Sequence, residues 1–193
     1  MNDEDKIMND KNIKKYLYNQ TPLRIFSFIA VNPGKVFSAQ EISKQAKASK
    51  GAASQALRLF LGLGILSREK KGNLFLYRLN AGSNLVRQFK IFENLLSIYK
   101  LIEEIQQYCY QIVLFGSCAN GSNSADSDID LFIKSEYKDQ ARKIINNYNG
   151  AESRIRVVIQ DPLEVASAKD EDKAFFQQVR KGIVLWEGKP SCE

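Results

Sequence analysis

Two aspartates, Asp128 and Asp130, stand two residues apart at the entrance to an apolar run, Ile129 to Ile133. Side chains on a strand alternate, so positions two apart point the same way and the two carboxylates lie together. Carboxylates held that close repel each other unless a cation lies between them. Magnesium suits such a pair, because it takes one or two carboxylates and leaves sites for water and phosphate. Upstream, Gly116-Ser117 closes another apolar run, Gln111 to Phe115. Glycine lets backbone come close to a ligand. Amides exposed in a turn before a helix attract anions, as does a serine hydroxyl. Phosphate on one side and metal on the other describe a site for a nucleoside triphosphate.

The rest of the chain narrows the chemistry. None of its 193 residues is histidine. That absence removes Ser-His-Asp hydrolases, HExxH metalloproteases and most zinc enzymes. Metal chemistry here must use carboxylates, which favours hard ions. Cys109, Cys118 and Cys192 sit at no metal-ligand spacing, and an odd number does not suggest a disulfide framework. Reducing cytosol is the expected compartment. The longest apolar run, Leu59 to Leu66, contains two glycines and is far too short to span a membrane. The acidic, polar N-terminus does not read as a signal peptide.

Charge is unevenly placed. Residues 1–82 carry 14 Lys/Arg and 6 Asp/Glu, a net of +8, whereas residues 83–193 carry 14 and 16, a net of −2. Two modules with different partners are expected, at 12–82 and 109–193, joined by a connector over 83–108. The basic one is a candidate for nucleic acid.

The elements of the first module follow from local signals. Residues 1–11 are polar and expected to fray. Ile13 and Leu17 suggest a short helical piece, and Thr21-Pro22 caps a helix at about 22–32. Ser38 with Glu41 is a capping box for a helix at about 39–46. Ser49 caps the next helix, which runs to about Leu63 with Ala53, Ala56, Leu57, Phe60 and Leu61 on one face. Its other face shows Lys50, Ser54, Gln55 and Arg58. Residues 65–79 read as two strands joined at Lys71-Gly72-Asn73. The order is helix, helix, turn, helix, basic hairpin, and the stretch Phe37–Leu79, "FSAQEISKQAKASKGAASQALRLFLGLGILSREKKGNLFLYRL", closely resembles winged helix-turn-helix transcription regulators, a match that covers most of residues 12–80.

That resemblance implies binding of double-stranded DNA. The second helix of the pair enters the major groove in such domains and the wing touches phosphate. Lys50, Ser54, Gln55 and Arg58 would then approach base edges, and Arg68, Lys70, Lys71 and Arg78 would lie near the wing.

The connector, 85–108, is helical and apolar on most sides. It fits three roles: a cover for the second module, a join between the two, or the seam of a homodimer, which the two-half-site habit of such regulators favours. In the second module, two strands flank the Gly-Ser turn and the aspartates. A helix at Tyr137–Tyr148, a strand at Arg154–Ile159, helix from Pro162 and a last strand at Gly182–Trp186 complete a small α/β sheet.

"FGSCANGSNSADSDIDLFI" resembles the signature of the minimal nucleotidyltransferases of DNA polymerase β-like fold, Gly-Ser followed by Asp-x-Asp. The similarity covers about residues 108–188. It implies that Gly116 and Ser117 hold phosphates and that Asp128 and Asp130 bind two magnesium ions. Two departures stand out. The strand after the helix, where the family usually has a third carboxylate, carries Arg154 and Arg156, and Asp161 lies at that strand's far end. Asn120 stands before Gly121, where the family usually has arginine.

The expected fold class is therefore α+β: a winged helix-turn-helix, a helical connector and a small α/β nucleotidyltransferase sheet. The expected function is a DNA-binding regulator whose second domain binds Mg-NTP, with reduced transfer. Two other readings stand beside it. One is an active, antitoxin-type nucleotidyltransferase that modifies a protein or other acceptor. The other is a binding protein on a catalytically dead scaffold. No membrane partner is expected.

Overall fold

The computed structural model describes residues 21–148 and 154–191, except for the side chains of 169–171. The expected helical piece at Ile13 and Leu17, and Cys192, lie outside them. The chain divides into two compact units: residues 1–93 with 121–125, and residues 94–120 with 126–193. Both mix helices with a small sheet.

In the first unit, helix α1 (Thr21–Ala30) buries Ile25, Phe26, Ile29 and Ala30 along one stripe. A short strand β1 (Val36–Ser38) leads into α2 (Ala39–Gln45). Ser38 fixes the start of α2. Its hydroxyl accepts from Glu41 N, and Glu41 returns a carboxylate oxygen to Ser38 N at 2.7 Å. Helix α3 (Lys50–Gly62) is capped by Ser49, which accepts from Ala52 N at 3.2 Å. Strands β2 (Leu66–Lys71) and β3 (Leu74–Leu79) form a hairpin that turns at Gly72, φ +60°. The sheet order is β1-β3-β2, all antiparallel. The core joins Ile25, Ile29, Ile42, Ala53, Leu57, Phe60 and Tyr77 to Val86, which comes from the next helix.

That helix, α4 (Asn84–Ile105), has 22 residues, about 33 Å at 1.5 Å per residue. Its beginning belongs to the first unit. There Phe89 stacks on Phe26 with ring centroids 4.0 Å apart. Glu93, nearly buried, accepts from the Ser27 hydroxyl at 2.9 and 3.0 Å. Lys90, also buried, donates its ammonium to the carbonyl of Asn123. Gly121 has φ +71°, and a Cβ there would stand 2.4 Å from the Arg87 carbonyl oxygen, so only glycine fits. Ala125 N completes the attachment of this loop by donating to Val31 O at 2.9 Å.

In the second unit, the rest of α4 contributes Ile98, Leu101 and Ile105 to the core. A 3₁₀ turn (Gln106–Tyr108) leads to β4 (Gln111–Phe115), then to α5 (Gly116–Asn120), β5 (Ile129–Lys134), α6 (Lys138–Tyr148), β6 (Ile155–Gln160), α7 (Pro162–Glu171), α8 (Lys173–Arg180) and β7 (Ile183–Glu187). The sheet runs β6-β5-β4-β7, with only the β5–β6 pair parallel. Both of its faces are covered, which explains the nearly continuous apolar strands. Ile112, Leu114, Leu131 and Ile133 pack with Ala141 and Ile145 of α6. Val113, Phe115 and Phe132 pack with Val165, Phe176 and Val179 of α7 and α8.

No helix among the described residues is long and apolar enough to cross a membrane.

Candidate active site and basic surface

The site is assembled at one end of the second sheet by strand register. In the antiparallel β4–β5 pair, Phe115 lies opposite Asp130, so the chain leaves β4 through Gly116 directly beside that carboxylate. Gly116 has φ +71°, and a Cβ there would stand 2.6 Å from an Asp130 carboxylate oxygen. The glycine thus serves twice: it adopts a backbone angle that L side chains avoid, and it leaves the space that Asp130 fills. Cys118 Sγ donates to the Asp128 carbonyl at 3.3 Å, tying α5 to the entrance of β5. Asn94 Nδ2 donates to the Cys118 carbonyl at 2.9 Å and so anchors α5 to the second part of α4. Ser117 occupies the second position of α5, half-buried.

The other flank comes from β6. Its parallel register places Arg156 opposite Asp130. Arg156 Nη2 lies 2.7 Å from Asp128 Oδ2 in an ion pair whose arginine is 76% exposed and whose aspartate is 18% exposed. Burial pushes the Asp130 carboxyl above its ordinary pKa; the Arg156 charge opposes that rise and the Asp128 charge adds to it. Arg154 is exposed and donates to the Asp126 carbonyl at 3.3 Å.

Asp161 stands apart from this cluster. It is the N-cap of α7, accepting from Leu163 N and Glu164 N, and it pairs with Lys138 at 2.9 Å. The backbone bond from Glu164 and the bond from Lys138 hold its pKa below the usual carboxylate range. Among the described residues, no group of three or more acidic, cysteine or histidine side chains is placed to hold a metal.

The donor set fits one hard cation. Asp128, one residue before β5, and Asp130, within it, lie close enough for their charges to oppose each other, and burial of Asp130 disfavours its charge further, so a hard cation would relieve both. Sequence reasoning brings Gly116, Ser117, Asp128 and Asp130 into view but not the bond between Arg156 and Asp128. Parity along β6 carries the only signal for that bond, and it becomes readable once β6 is known to run parallel to β5.

The basic surface lies on the first unit. Lys50, Gln55 and Arg58 are exposed on α3 and Ser54 is half-buried, with Arg58 Nη2 3.4 Å from the Ser54 hydroxyl. Arg68, Lys70, Lys71 and Arg78 are all exposed on the hairpin. Register divides these four. Arg68 and Lys70 oppose Tyr77 and Phe75, whereas Lys71 and Arg78 oppose Leu74 and Ser67 and so point to the other face. The Arg68 guanidinium lies over the Phe75 ring, 4.3 Å from its centroid. A hollow of about 440 Å³, lined by Ser38, Gln40, Lys50, Asn73, Leu74 and Phe75 among others, brings the start of α3 together with the hairpin.

Compared with known proteins, residues 93–191 match the family model described as "Polymerase beta, Nucleotidyltransferase". No curated protein and no solved structure matches the chain.

Proposed function

The chain belongs to the Polymerase beta, Nucleotidyltransferase family, and from that premise we propose that its second unit binds a magnesium–nucleoside triphosphate while its first unit binds double-stranded DNA. The observation that carries the nucleotide reading is the seat of Asp130 against Gly116, with Asp128 near enough for its charge to act on Asp130. Asp128 and Asp130 would hold the metal, and Gly116 and Ser117 would meet the phosphates. Held by these residues, magnesium would supply charge neutralisation and Lewis-acid polarisation of the triphosphate. The protein's own residues set the geometry: Gly116 admits the carboxylate, and Cys118 and Asn94 fix the turn against β5 and α4.

The proposal favours binding over efficient transfer. Asp161, the acid at the end of β6, is committed to capping α7 and to Lys138. No third acid joins Asp128 and Asp130 among the described residues, so none is placed to take the proton of an acceptor hydroxyl.

The DNA reading rests on the net +8 of residues 1–82, on the exposed residues of α3 and on the hairpin beside them. It takes the first unit as a winged helix-turn-helix. Lys50, Ser54, Gln55 and Arg58 would face the groove. Arg68 and Lys70, on the Phe75 side of the hairpin, would face phosphate. The whole would be a transcription regulator that carries a nucleotide-binding domain.

Calorimetric titration of ATP tests the nucleotide reading, with magnesium, with EDTA, and with Asp128→Asn. Magnesium-dependent heat that disappears in the variant supports it. Absence of binding for all four NTPs sinks it.

A further inference from the structure

We propose that Arg156 serves as the second cation of this site, so that the bound nucleotide is held by one divalent ion and one guanidinium. The inference rests on the nucleotide reading above and specifies how that site is charged.

Position comes first. Asp130 has Gly116 on one side, through β4, and Arg156 on the other, through the parallel register with β6. Adjacent strands lie about 4.8 Å apart, so a side chain opposite Asp130 and on the same face reaches any ligand that the carboxylates hold. Arg156 already reaches past Asp130 to Asp128, at 2.7 Å.

Charge comes second. Two divalent ions in one site stand about 4 Å apart, and each would need oxygen ligands from the protein. Here one oxygen of Asp128 is engaged by Arg156, and no third acid joins the pair among the described residues. The two aspartates carry two negative charges, and Arg156 cancels one of them. One divalent ion over-neutralises the remainder, which attracts a polyphosphate. A second ion would lack oxygen ligands and would meet the guanidinium.

Availability comes third. Arg156 is 76% exposed, and an ion pair with so exposed a partner is weak and exchanges readily. A guanidinium carries five N–H donors in a planar fork, and the fork matches phosphate. With Nη2 kept on Asp128, the other N–H donors of the fork would serve a phosphate oxygen. Without nucleotide, the same arginine occupies the cation's place and keeps the two aspartates from facing each other unpaired.

The test combines two readouts on the full chain. Paramagnetic resonance counts Mn²⁺ bound in the presence of saturating non-hydrolysable ATP analogue. Calorimetry measures the affinity of that analogue for wild type, Arg156→Gln and Arg156→Lys. The expected result is one Mn²⁺ per bound nucleotide and an affinity at least about tenfold lower in Arg156→Gln, as for loss of a charged hydrogen bond. Arg156→Lys, which keeps the charge, is expected to recover part of it. Two Mn²⁺ per nucleotide in wild type, or undiminished affinity in Arg156→Gln, overturns the inference and leaves the nucleotide reading intact. A wild-type protein that binds no nucleotide overturns both.

Discussion

Gly116 bears two constraints at once, and its replacement should expose both. Gly116→Ala forces a Cβ into a left-handed backbone position, at about 1–2 kcal/mol, and drives it against the Asp130 carboxylate. The thermal midpoint should fall by roughly 2–8 °C in a chain of this length, and magnesium-dependent ATP binding should be lost in the same variant. A fall in midpoint with binding intact would place Asp130 outside the site. Asp130 itself makes a prediction of opposite sign. Its folded-state pKa lies above the ordinary 3.8 because burial disfavours the charge. The folded protein therefore holds that proton more tightly than the unfolded chain, and ionisation costs stability as pH rises through the folded value. Asp130→Asn should melt above wild type at neutral pH without metal, by about a degree or two, on the scale of weak, partly screened charges. The gap should close below pH 3.8. Magnesium should raise the midpoint of wild type and not that of the variant. Thermal scans from acid to neutral pH, with and without magnesium, check both signs.

At the scale of the element, α3 and the hairpin separate the DNA reading from the nucleotide reading. Arg58→Ala should weaken DNA binding about tenfold, the loss expected of one base-edge or phosphate contact, and should leave ATP binding unchanged. Replacing Lys70 should lower the salt slope of DNA binding by about one unit, which fluorescence anisotropy at several salt concentrations measures. Parallel loss of ATP binding in Arg58→Ala would defeat the separation. Elements also show what the sequence makes legible. Ser38 with Glu41 and Ser49 announce their helices in adjacent residues, and the expected 39–46 corresponds to Ala39–Gln45. The hairpin at 65–79 is equally local. Strand β1 goes unread, because its three residues are too few to display a period and its partner, β3, lies about forty residues on. Helix α5 reads only as a turn, since its five residues give no repeat. The pairing of Arg156 with Asp128 is hidden for a related reason: it depends on parallel register across an intervening helix. Gly116 and Asp130, joined through a single strand pair, are visible from spacing alone.

At the scale of the whole molecule, the segment between the Gly-Ser turn and the aspartates holds the most consequence. Residues 121–125 count with the first unit, while the residues on both sides count with the second. Gly121 against Arg87, Lys90 on Asn123 and Ala125 on Val31 fasten it. Gly121→Ala places a Cβ 2.4 Å from a backbone oxygen, at a left-handed angle. It should cost about 2 kcal/mol or more, strain of the kind that over-determined backbone sites store. ATP binding should weaken as well, because the displaced loop joins α5, which begins at Gly116, to Asp128. Differential scanning calorimetry and ATP titration on one preparation check the two together.

The same segment bears on how such a protein can be inherited. A crossover at the boundary between residues 93 and 94 would give one product without its strap and another with a strap and no bed for it. Shifting the breakpoint past residue 125 would take with it β4 and the turn that begins at Gly116. Neither unit can be traded as a cassette by a single exchange, so lineages that keep this arrangement should gain or lose the two units together.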